Sequence, residues 1–352
     1  MQEFQLHGGD VYRRAGLLDF SANINPLGMP ASVREAAVRG VQESERYPDP
    51  ENEKLTRAYA QFHGVNREAI VFGNGAAELI RALPLCLRAK RGGLVFPCFG
   101  EYEAGMKLAG TEVEEVSYSG AKAGKIPQGL DLVMIGNPSN PDGRVFSRDE
   151  IARLAGAYPD TYFCVDESFL PFCADAGERS CIPCLKEYRN LLVLRSFTKI
   201  CAMPGLRLGA LLTGNRQISR SVRNFLQPWT VSRPAQNAGL ASLSEKDFVS
   251  RTVRFLDGEH PWLTGKIKEL PYVDFVLPSP ANFLLFHARE EQEHSLYRQL
   301  LDEGIQIRDC ASFRGMQTLS DAAEKTGWYR IAVRTRNENE RLLAAMRKVS
   351  LS

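Results

Sequence analysis

Short apolar runs, many of them ended by glycine, proline or asparagine, recur along the first two thirds of the chain. Because these runs are apolar throughout, they are typical of strands buried on both faces. Helical patterns lie between several of them. Alternation of this kind predicts an α/β fold with a largely parallel sheet. The runs include AIVFGNG, GGLVFP, LDLVMIGNP, TYFCVDES, NLLVLRS and LRLGALLTG, and helices are expected near 30–45, 51–63, 76–88 and 148–157.

The pattern changes after Pro234. One long helix is expected over residues 235–256, and strand-like segments then alternate with helices near 291–303 and 337–349. These elements indicate a smaller α+β domain. We therefore expect an N-terminal arm and first helix packing with the small domain (1–45), a large domain (46–234), and a long connecting helix with the small domain (235–352).

The composition and charge of the chain argue against several classes of function. The chain has 352 residues, 44% of them hydrophobic and 24% charged, with a net charge of +2, as in ordinary soluble proteins. No basic block suggests nucleic-acid binding, and no apolar run approaches the roughly 18 residues of a membrane span. The eight cysteines, without a signal peptide, predict reduced thiols and a cytoplasmic protein. Cys181 and Cys184 form a lone CxxC without a suitably spaced fourth ligand, so no metal is expected.

Chemically capable residues follow the apolar runs, where parallel strands expose their carboxyl ends. Lys199 is the most informative, because a lysine beside a buried strand is costly unless its charge is used or removed. Taken singly, each of the other residues also has a purely structural explanation. Glycine turns are common, and an aromatic side chain often packs in the hydrophobic core. In chain order they are Gly75–Ala76, Phe99, Asn140, Asp166, Ser196, Thr198, Lys199 and Arg207.

Taken together, this order resembles the fold-type I pyridoxal 5′-phosphate enzymes, the aspartate aminotransferase superfamily, nearly from end to end. The resemblance implies that Lys199, in an S-x-[ST]-K-x7-R pattern, bonds covalently to the cofactor aldehyde. It implies that Ser196, Thr198 and Arg207 bind the cofactor phosphate, together with backbone N–H groups of the Gly75–Ala76 turn.

The same resemblance assigns the other end of the cofactor. Phe99 would stack on the pyridine ring and Asn140 would bond its phenolic oxygen. Asp166 would pair with the protonated ring nitrogen, which strengthens the electron sink and makes Asp166 and Lys199 the catalytic pair. Tyr47, in ERYPDP, matches a tyrosine that reaches the cofactor phosphate of a neighbouring subunit. A homodimer with shared active sites is therefore implied.

Further motifs resemble the threonine-phosphate decarboxylases of cobalamin synthesis. This resemblance implies a phosphorylated amino acid as substrate: L-threonine O-3-phosphate giving (R)-1-amino-2-propanol O-2-phosphate, or serine phosphate giving ethanolamine phosphate. Histidinol-phosphate aminotransferase is the alternative, but it usually has a tyrosine where this chain has Phe169. A sensor that has lost turnover is disfavoured because Lys199 and Asp166 are kept. The motifs are HGGD, LLDFSANINPLGMP, ERYPDP, VLRSFTKICAMPGLRLG, SPANFLLF, IRDCASF and WYRIAVRTRNENERLLAAM.

The resemblance also implies which residues bind the anionic groups of the substrate. Arg334 is added because it shares a strand face with Arg330. Asp142 and Ser168 depart from the family pattern, which has threonine and alanine there, and Asp142 is expected to point to solvent. The implied substrate-binding residues are His7, Asn25, Asn140, Arg308, Arg330 and Arg334.

Overall fold

The computed structural model of the protein describes residues 8–12, 16–245, 247–319 and 327–351. His7 lies outside these ranges. The strands are β1 (Leu18–Asp19), β2 (Ile70–Asn74), β3 (Arg91–Leu94), β4 (Glu112–Glu115), β5 (Leu132–Gly136), β6 (Tyr162–Asp166), β7 (Leu191–Ser196), β8 (Leu208–Thr213), β9 (Val273–Leu277), β10 (Phe283–Ala288), β11 (Ile305–Gln306), β12 (Arg308–Asp309) and β13 (Trp328–Ala332). The helices are α1 (Ala31–Gln42), α2 (Glu53–His63), α3 (Ala76–Leu87), α4 (Gly100–Leu108), α5 (Tyr118–Lys122), α6 (Arg148–Ala157), α7 (Ala176–Arg179), α8 (Phe197–Ile200), α9 (Arg216–Phe225), α10 (Arg233–Ser242), α11 (Phe248–Lys268), α12 (Ser295–Asp302) and α13 (Arg336–Met346).

The large sheet confirms the predicted α/β fold. In the described ranges its strand order is β2-β8-β7-β6-β5-β3-β4, and β8 runs antiparallel to both of its neighbours. The pairs among β3 to β7 are parallel. Leu132 and Met134 of β5 pack into one hydrophobic cluster while Val133 and Ile135 pack into another. Both faces of the sheet are therefore buried, which explains why the strands are apolar throughout.

A smaller antiparallel sheet has the order β12-β13-β10-β9. The N-terminal arm meets it, since β1 pairs in parallel with β11. The backbone N–H of Phe20 donates to Gln306 (2.7 Å), and the N–H of Ala332 donates to Phe20 (2.8 Å). The arm thus lies between elements that are distant in sequence. The division into 1–45, 46–234 and 235–352 remains a proposal.

The single helix expected over residues 235–256 is wrong, because α10 ends at Ser242 and α11 begins at Phe248. In the turn between them, the N–H of Ser244 donates to Ala241 (3.0 Å) and that of Phe248 to Glu245 (3.1 Å). α10 packs against α1, whereas α11 packs against β9 and α13. The break therefore lets the chain change direction between the two packing surfaces. Among the described helices, none is long and apolar enough to cross a membrane.

We expect Gly209→Ala to destabilise the protein by about 1–3 kcal/mol, because it overpacks a close backbone contact. A Cβ atom at Gly209, on β8, would lie 2.4 Å from the backbone nitrogen of Ala76 at the start of α3. Gly205→Ala is the matched control, since a Cβ there meets nothing within 4 Å. The two urea-unfolding midpoints measure the difference. Equal midpoints would contradict the predicted close contact.

Candidate active site

A cavity of about 390 Å³ lies at the carboxyl ends of the parallel strands. This is where an α/β sheet is expected to bind ligands. The cavity brings together residues from both sheets and from the turn that follows β7. Its lining includes the predicted residues Ala76, Phe99, Asn140, Asp166, Ser196, Thr198, Lys199, Arg207, Arg308 and Arg330.

One end of the cavity is rich in hydrogen-bond donors. Gly75 (φ +78°) caps α3 without a side chain, and a Cβ there would lie 2.5 Å from an Arg207 guanidinium nitrogen. This glycine thus admits the guanidinium to the first turn of the helix, whose initial N–H groups have no intrahelical acceptor. The hydroxyls of Ser196 and Thr198 lie 2.7 Å apart beside it. A guanidinium, two hydroxyls and a helix N-terminus together suit a phosphate dianion.

Lys199 lies on α8, the short helix that directly follows β7. Burial, together with the charges of Arg330 and Arg207, lowers the pKa of Lys199 to about 8, although Asp166 and Asp19 oppose the shift. A part of the Lys199 population is therefore neutral near pH 7, as a nucleophilic amine requires.

Asp166 ends β6 and is buried. Its Oδ2 accepts a hydrogen bond from the Tyr102 hydroxyl (2.7 Å), and its Oδ1 accepts one from the backbone N–H of Ser168 (2.9 Å). The ring of Tyr102 stands edge-on to that of Phe99, with centroids 5.7 Å apart at 89°. A carboxylate and an aromatic wall thus face the cavity together.

These groups fit pyridoxal 5′-phosphate by their chemistry. Donors for a phosphate, an amine for an aldehyde, and a carboxylate for a protonated ring nitrogen all line one cavity. The arrangement of Gly75 and Arg207 adds a steric observation, since a side chain at residue 75 would occupy the guanidinium position.

Two buried arginines line the same cavity. Arg330 donates to Oδ1 of Asn140 and to the backbone oxygen of Ser21 (2.7 Å), while its Nε has no partner in the described part of the chain. Burial lowers the pKa of Arg330 to about 10, so its guanidinium stays charged near neutral pH. Arg308 donates to the Ser312 hydroxyl (2.9 Å), and burial also lowers its pKa.

Asn25, which is predicted to bind substrate, is not among the residues that line the cavity. Its amide nitrogen donates to the backbone oxygen of Ile200 and to Oγ1 of Thr252, both at 2.8 Å. Its backbone N–H donates to the Lys199 carbonyl (3.1 Å), and its side-chain oxygen accepts from the N–H of Leu27 (3.0 Å). Asn25 therefore braces the turn that carries Lys199.

Asn23, two residues before Asn25, was not predicted as a site residue from the sequence. It lines the cavity and is 2% exposed, yet neither its amide oxygen nor its amide nitrogen has a partner in the described ranges. Buried polar atoms are rarely left unpaired. Asn23 therefore points to a bound ligand, although the motif SANIN gave no means of preferring it to Asn25.

Arg334, also predicted to bind substrate, is likewise not among the residues that line the cavity. Its guanidinium donates to the backbone oxygen of Asp19 (3.0 Å) and to Oε1 of Glu338 (2.6 Å). β13 ends at Ala332, so the alternation of side chains that linked Arg334 to Arg330 does not continue that far.

Asp142 does not point to solvent as expected, because it is 1% exposed. It pairs with Arg144, which also donates to the backbone oxygen of Phe96 (2.8 Å). Burial raises the pKa of Asp142, and Arg144 opposes that shift. Through Arg144, Asp142 thus links the turn that contains Asn140 to the loop that leads to Phe99.

His7 lies outside the described residues, although the adjoining Gly8 lines the cavity. Tyr47 is 78% exposed and stacks on Trp229, with ring centroids 4.6 Å apart. Within its own chain Tyr47 is not part of the cavity lining.

Two further lining residues were missed. Tyr102 follows Phe99 by three positions at the start of a helix, which was the one available signal. Arg314 lines the cavity, donates to Oε1 of Glu103 (3.2 Å) and lies over the ring of Phe96 at 4.5 Å. Arg314 directly follows the IRDCASF motif, but that motif gave no reason to select it.

Comparisons with known proteins agree with this geometry. The chain is 34% identical to threonine-phosphate decarboxylase of Salmonella typhimurium over 97% of its length and 96% of that protein. The structure of L-threonine-O-3-phosphate decarboxylase from Porphyromonas gingivalis is similar, with a TM-score of 0.83 and 26% identity, covering 94% of this chain and 98% of that one. Histidinol-phosphate aminotransferase from Clostridium acetobutylicum gives a TM-score of 0.84 at 26% identity, with the same coverage of each chain.

The family model for class I and II aminotransferases matches residues 15–346, which is nearly the whole chain. The cavity chemistry and these matches point the same way. The protein belongs to the class I and II aminotransferase family and uses pyridoxal 5′-phosphate as its cofactor.

Proposed function

We propose that the protein decarboxylates an O-phosphorylated amino acid. The proposed substrate is L-threonine O-3-phosphate, and the product is (R)-1-amino-2-propanol O-2-phosphate, the linker of the cobalamin nucleotide loop. Serine phosphate, which lacks one methyl group, would give ethanolamine phosphate, and a pocket distinguishes one methyl by only about 1–3 kcal/mol. Similarity to threonine-phosphate decarboxylase over nearly the full length supports the proposal.

The single observation that carries the proposal is that Lys199 shares its cavity with anion-binding groups other than those that would hold the cofactor phosphate. Arg207, Ser196, Thr198 and the start of α3 would hold the cofactor phosphate. Arg308, Arg330 and Asn23 also line the cavity, and the Asn23 amide has no partner among the described residues. A substrate with both a carboxylate and a phosphate would use these groups.

The residues of the chain would divide the reaction between them. When bound, the cofactor supplies an electron sink that accepts the electron pair released at Cα. Asp166 would hold the proton on the ring nitrogen, and the arginines would fix the two anionic groups of the substrate. The carboxylate leaves as CO₂, and Lys199 would return one proton to Cα. One CO₂ is lost and one proton gained.

Phe169 supports decarboxylation over amino transfer. The ring of Phe169 lines the cavity and packs edge-on against Phe283, with centroids 5.1 Å apart at 77°. Phe169 cannot donate a hydrogen bond, unlike the tyrosine usual at this position in histidinol-phosphate aminotransferases. Amino transfer from histidinol phosphate remains the second candidate, because a histidinol-phosphate aminotransferase has an equally similar structure.

We further propose a cytoplasmic homodimer with shared sites. The eight cysteines are all free thiols, which suits a reducing compartment. The exposed Tyr47, stacked on Trp229, would reach the cofactor phosphate of the partner.

One incubation with the cofactor tests the reaction. We expect CO₂ and an amino-alcohol phosphate from threonine phosphate without any 2-oxo acid acceptor. Acceptor-dependent amino transfer from histidinol phosphate, without CO₂ release from threonine phosphate, would overturn the proposal. Lys199→Ala is the control and should reduce turnover by at least about 10³-fold, since it removes the covalent attachment and the proton carrier.

Asn23→Ala is expected to raise KM for the phosphorylated substrate about ten-fold, because a ligand-directed amide is lost. Its stability should change little, since this amide has no partner among the described residues. Asn25→Ala is the matched comparison and should lower the thermal unfolding midpoint instead, because it removes three bonds. Steady-state kinetics and thermal melts of both variants separate the roles. A larger KM effect for Asn25→Ala would refute the assignment.

Covalent attachment of the cofactor to the apoprotein should depend on pH. Since the pKa of Lys199 is about 8 and only the neutral amine attacks, the attachment rate should fall about ten-fold per pH unit below 8 and level off above it. Arg330→Met should move this profile to higher pH, because it removes a charge that lowers the pKa of Lys199. Arg336→Met, paired with Glu259 outside the cavity, should not. Rapid-mixing absorbance spectroscopy gives the rates; a flat profile would disprove the role of burial.

A further inference from the structure

We propose that Tyr102 is a positioning residue that aims the Asp166 carboxylate at the ring nitrogen of the cofactor. This inference rests on the cofactor site described above and deepens it. It does not depend on which substrate is converted.

The two side chains form a buried pair. Tyr102 is 3% exposed and Asp166 is 8% exposed, and the hydroxyl donates to Oδ2 across 2.7 Å. The N–H of Ser168 donates to Oδ1. Each carboxylate oxygen thus has a fixed donor on the protein side, and the carboxylate cannot rotate without losing one or both of these bonds. Its remaining lone pairs are left for the cavity.

The hydroxyl of Tyr102 donates over the whole working pH range. Burial and the neighbouring Asp166 raise the pKa of Tyr102 well above its ordinary value, so the phenol keeps its proton. Tyr102 would therefore hold the Asp166 carboxylate in one orientation.

The backbone of β5 lies close to this bond. Gly136 ends β5 directly beside Asp166 in the strand register. A Cβ at Gly136 would lie 3.4 Å from the Tyr102 hydroxyl oxygen and 3.1 Å from Cα of Ser139. Tyr102 also fixes the aromatic wall, because its ring stands edge-on to Phe99. One residue of α4 thus links the stacking surface to the carboxylate.

Tyr102→Phe tests the proposal, because it keeps the ring beside Phe99 and removes only the hydroxyl. We expect the dissociation constant of pyridoxal 5′-phosphate from the apoprotein, measured by equilibrium dialysis, to rise about ten-fold. In the loaded protein, the ¹⁵N chemical shift of a ring-labelled cofactor should move toward the unprotonated value. Tyr272→Phe is the control: its hydroxyl donates to the backbone oxygen of Met346 (2.8 Å) in the small domain, and its removal should change neither readout.

A double-mutant cycle shows whether Tyr102 acts through Asp166. In an Asp166→Ala background, Tyr102→Phe should have less than a two-fold further effect on cofactor binding, since the acceptor is gone. Additive effects, or an unchanged dissociation constant and ¹⁵N shift for Tyr102→Phe alone, would overturn the proposal. If Tyr102→Phe does not fold, Tyr102→Leu, which also lacks the hydroxyl, should weaken binding in the same non-additive way. No substrate is used, so failure of the proposed reaction would not affect this result.

Discussion

Burial of the Lys199 amine beside two guanidinium groups is the constraint on which the rest of the site depends. Desolvation and like charge both favour the neutral amine, which is what the chemistry requires and what stability opposes. The lysine can stay there because its backbone is fixed on both sides. Ser196 caps the short helix that carries it, and Asn25 holds the carbonyl groups of Lys199 and Ile200. The stability of this turn is therefore as much a part of the site as the amine itself.

The neighbouring carboxylates are arranged so that they do not neutralise the cavity. Asp142 is paired with Arg144, and Glu103 lies within reach of both Lys107 and Arg314. Asp166 is held by Tyr102 and by a backbone N–H. Asp142 and Asp166 are thus held by neighbouring groups of the chain, and of the lining cations Arg314 pairs with Glu103. The other cations that line the cavity are left to attract an anionic cofactor and an anionic substrate.

The cofactor end of the site could be predicted from the sequence because most of its residues directly follow strands of one largely parallel sheet. Parallel strands expose their carboxyl ends at the same edge, as the positions of Asp166 after β6 and Lys199 after β7 illustrate. The substrate end could not be predicted in the same way. Asn23 and Asn25 are both asparagines of one short motif, and only tertiary packing decides which of them faces the cavity. Tyr102 could not be identified either, because its acceptor lies 64 positions away.

In the fold, too, local sequence pattern predicts some elements and tertiary packing decides others. The strands and most helices follow from local pattern, whereas the break between α10 and α11 follows from where each helix packs. Residues 243–247 are polar enough for a turn, but they are also compatible with a continuous helix. The need for α10 to meet α1, and for α11 to reach β9, decides between the two.

The residues that would bind the cofactor and those that would bind the substrate come from different parts of the fold. Asp166, Lys199 and Arg207 come from the large sheet and its turns, whereas Asn23 comes from the arm and Arg308 and Arg330 from the small sheet. The cofactor groups are thus anchored on the large sheet and the turns beside it. The residues proposed for the substrate lie on the arm and the small sheet. Backbone hydrogen bonds, such as those of Phe20 with Gln306 and Ala332, join these elements. Changes in the arm or small sheet would therefore alter which bond is aligned for cleavage while leaving the cofactor in place, which is consistent with one fold serving both decarboxylation and amino transfer.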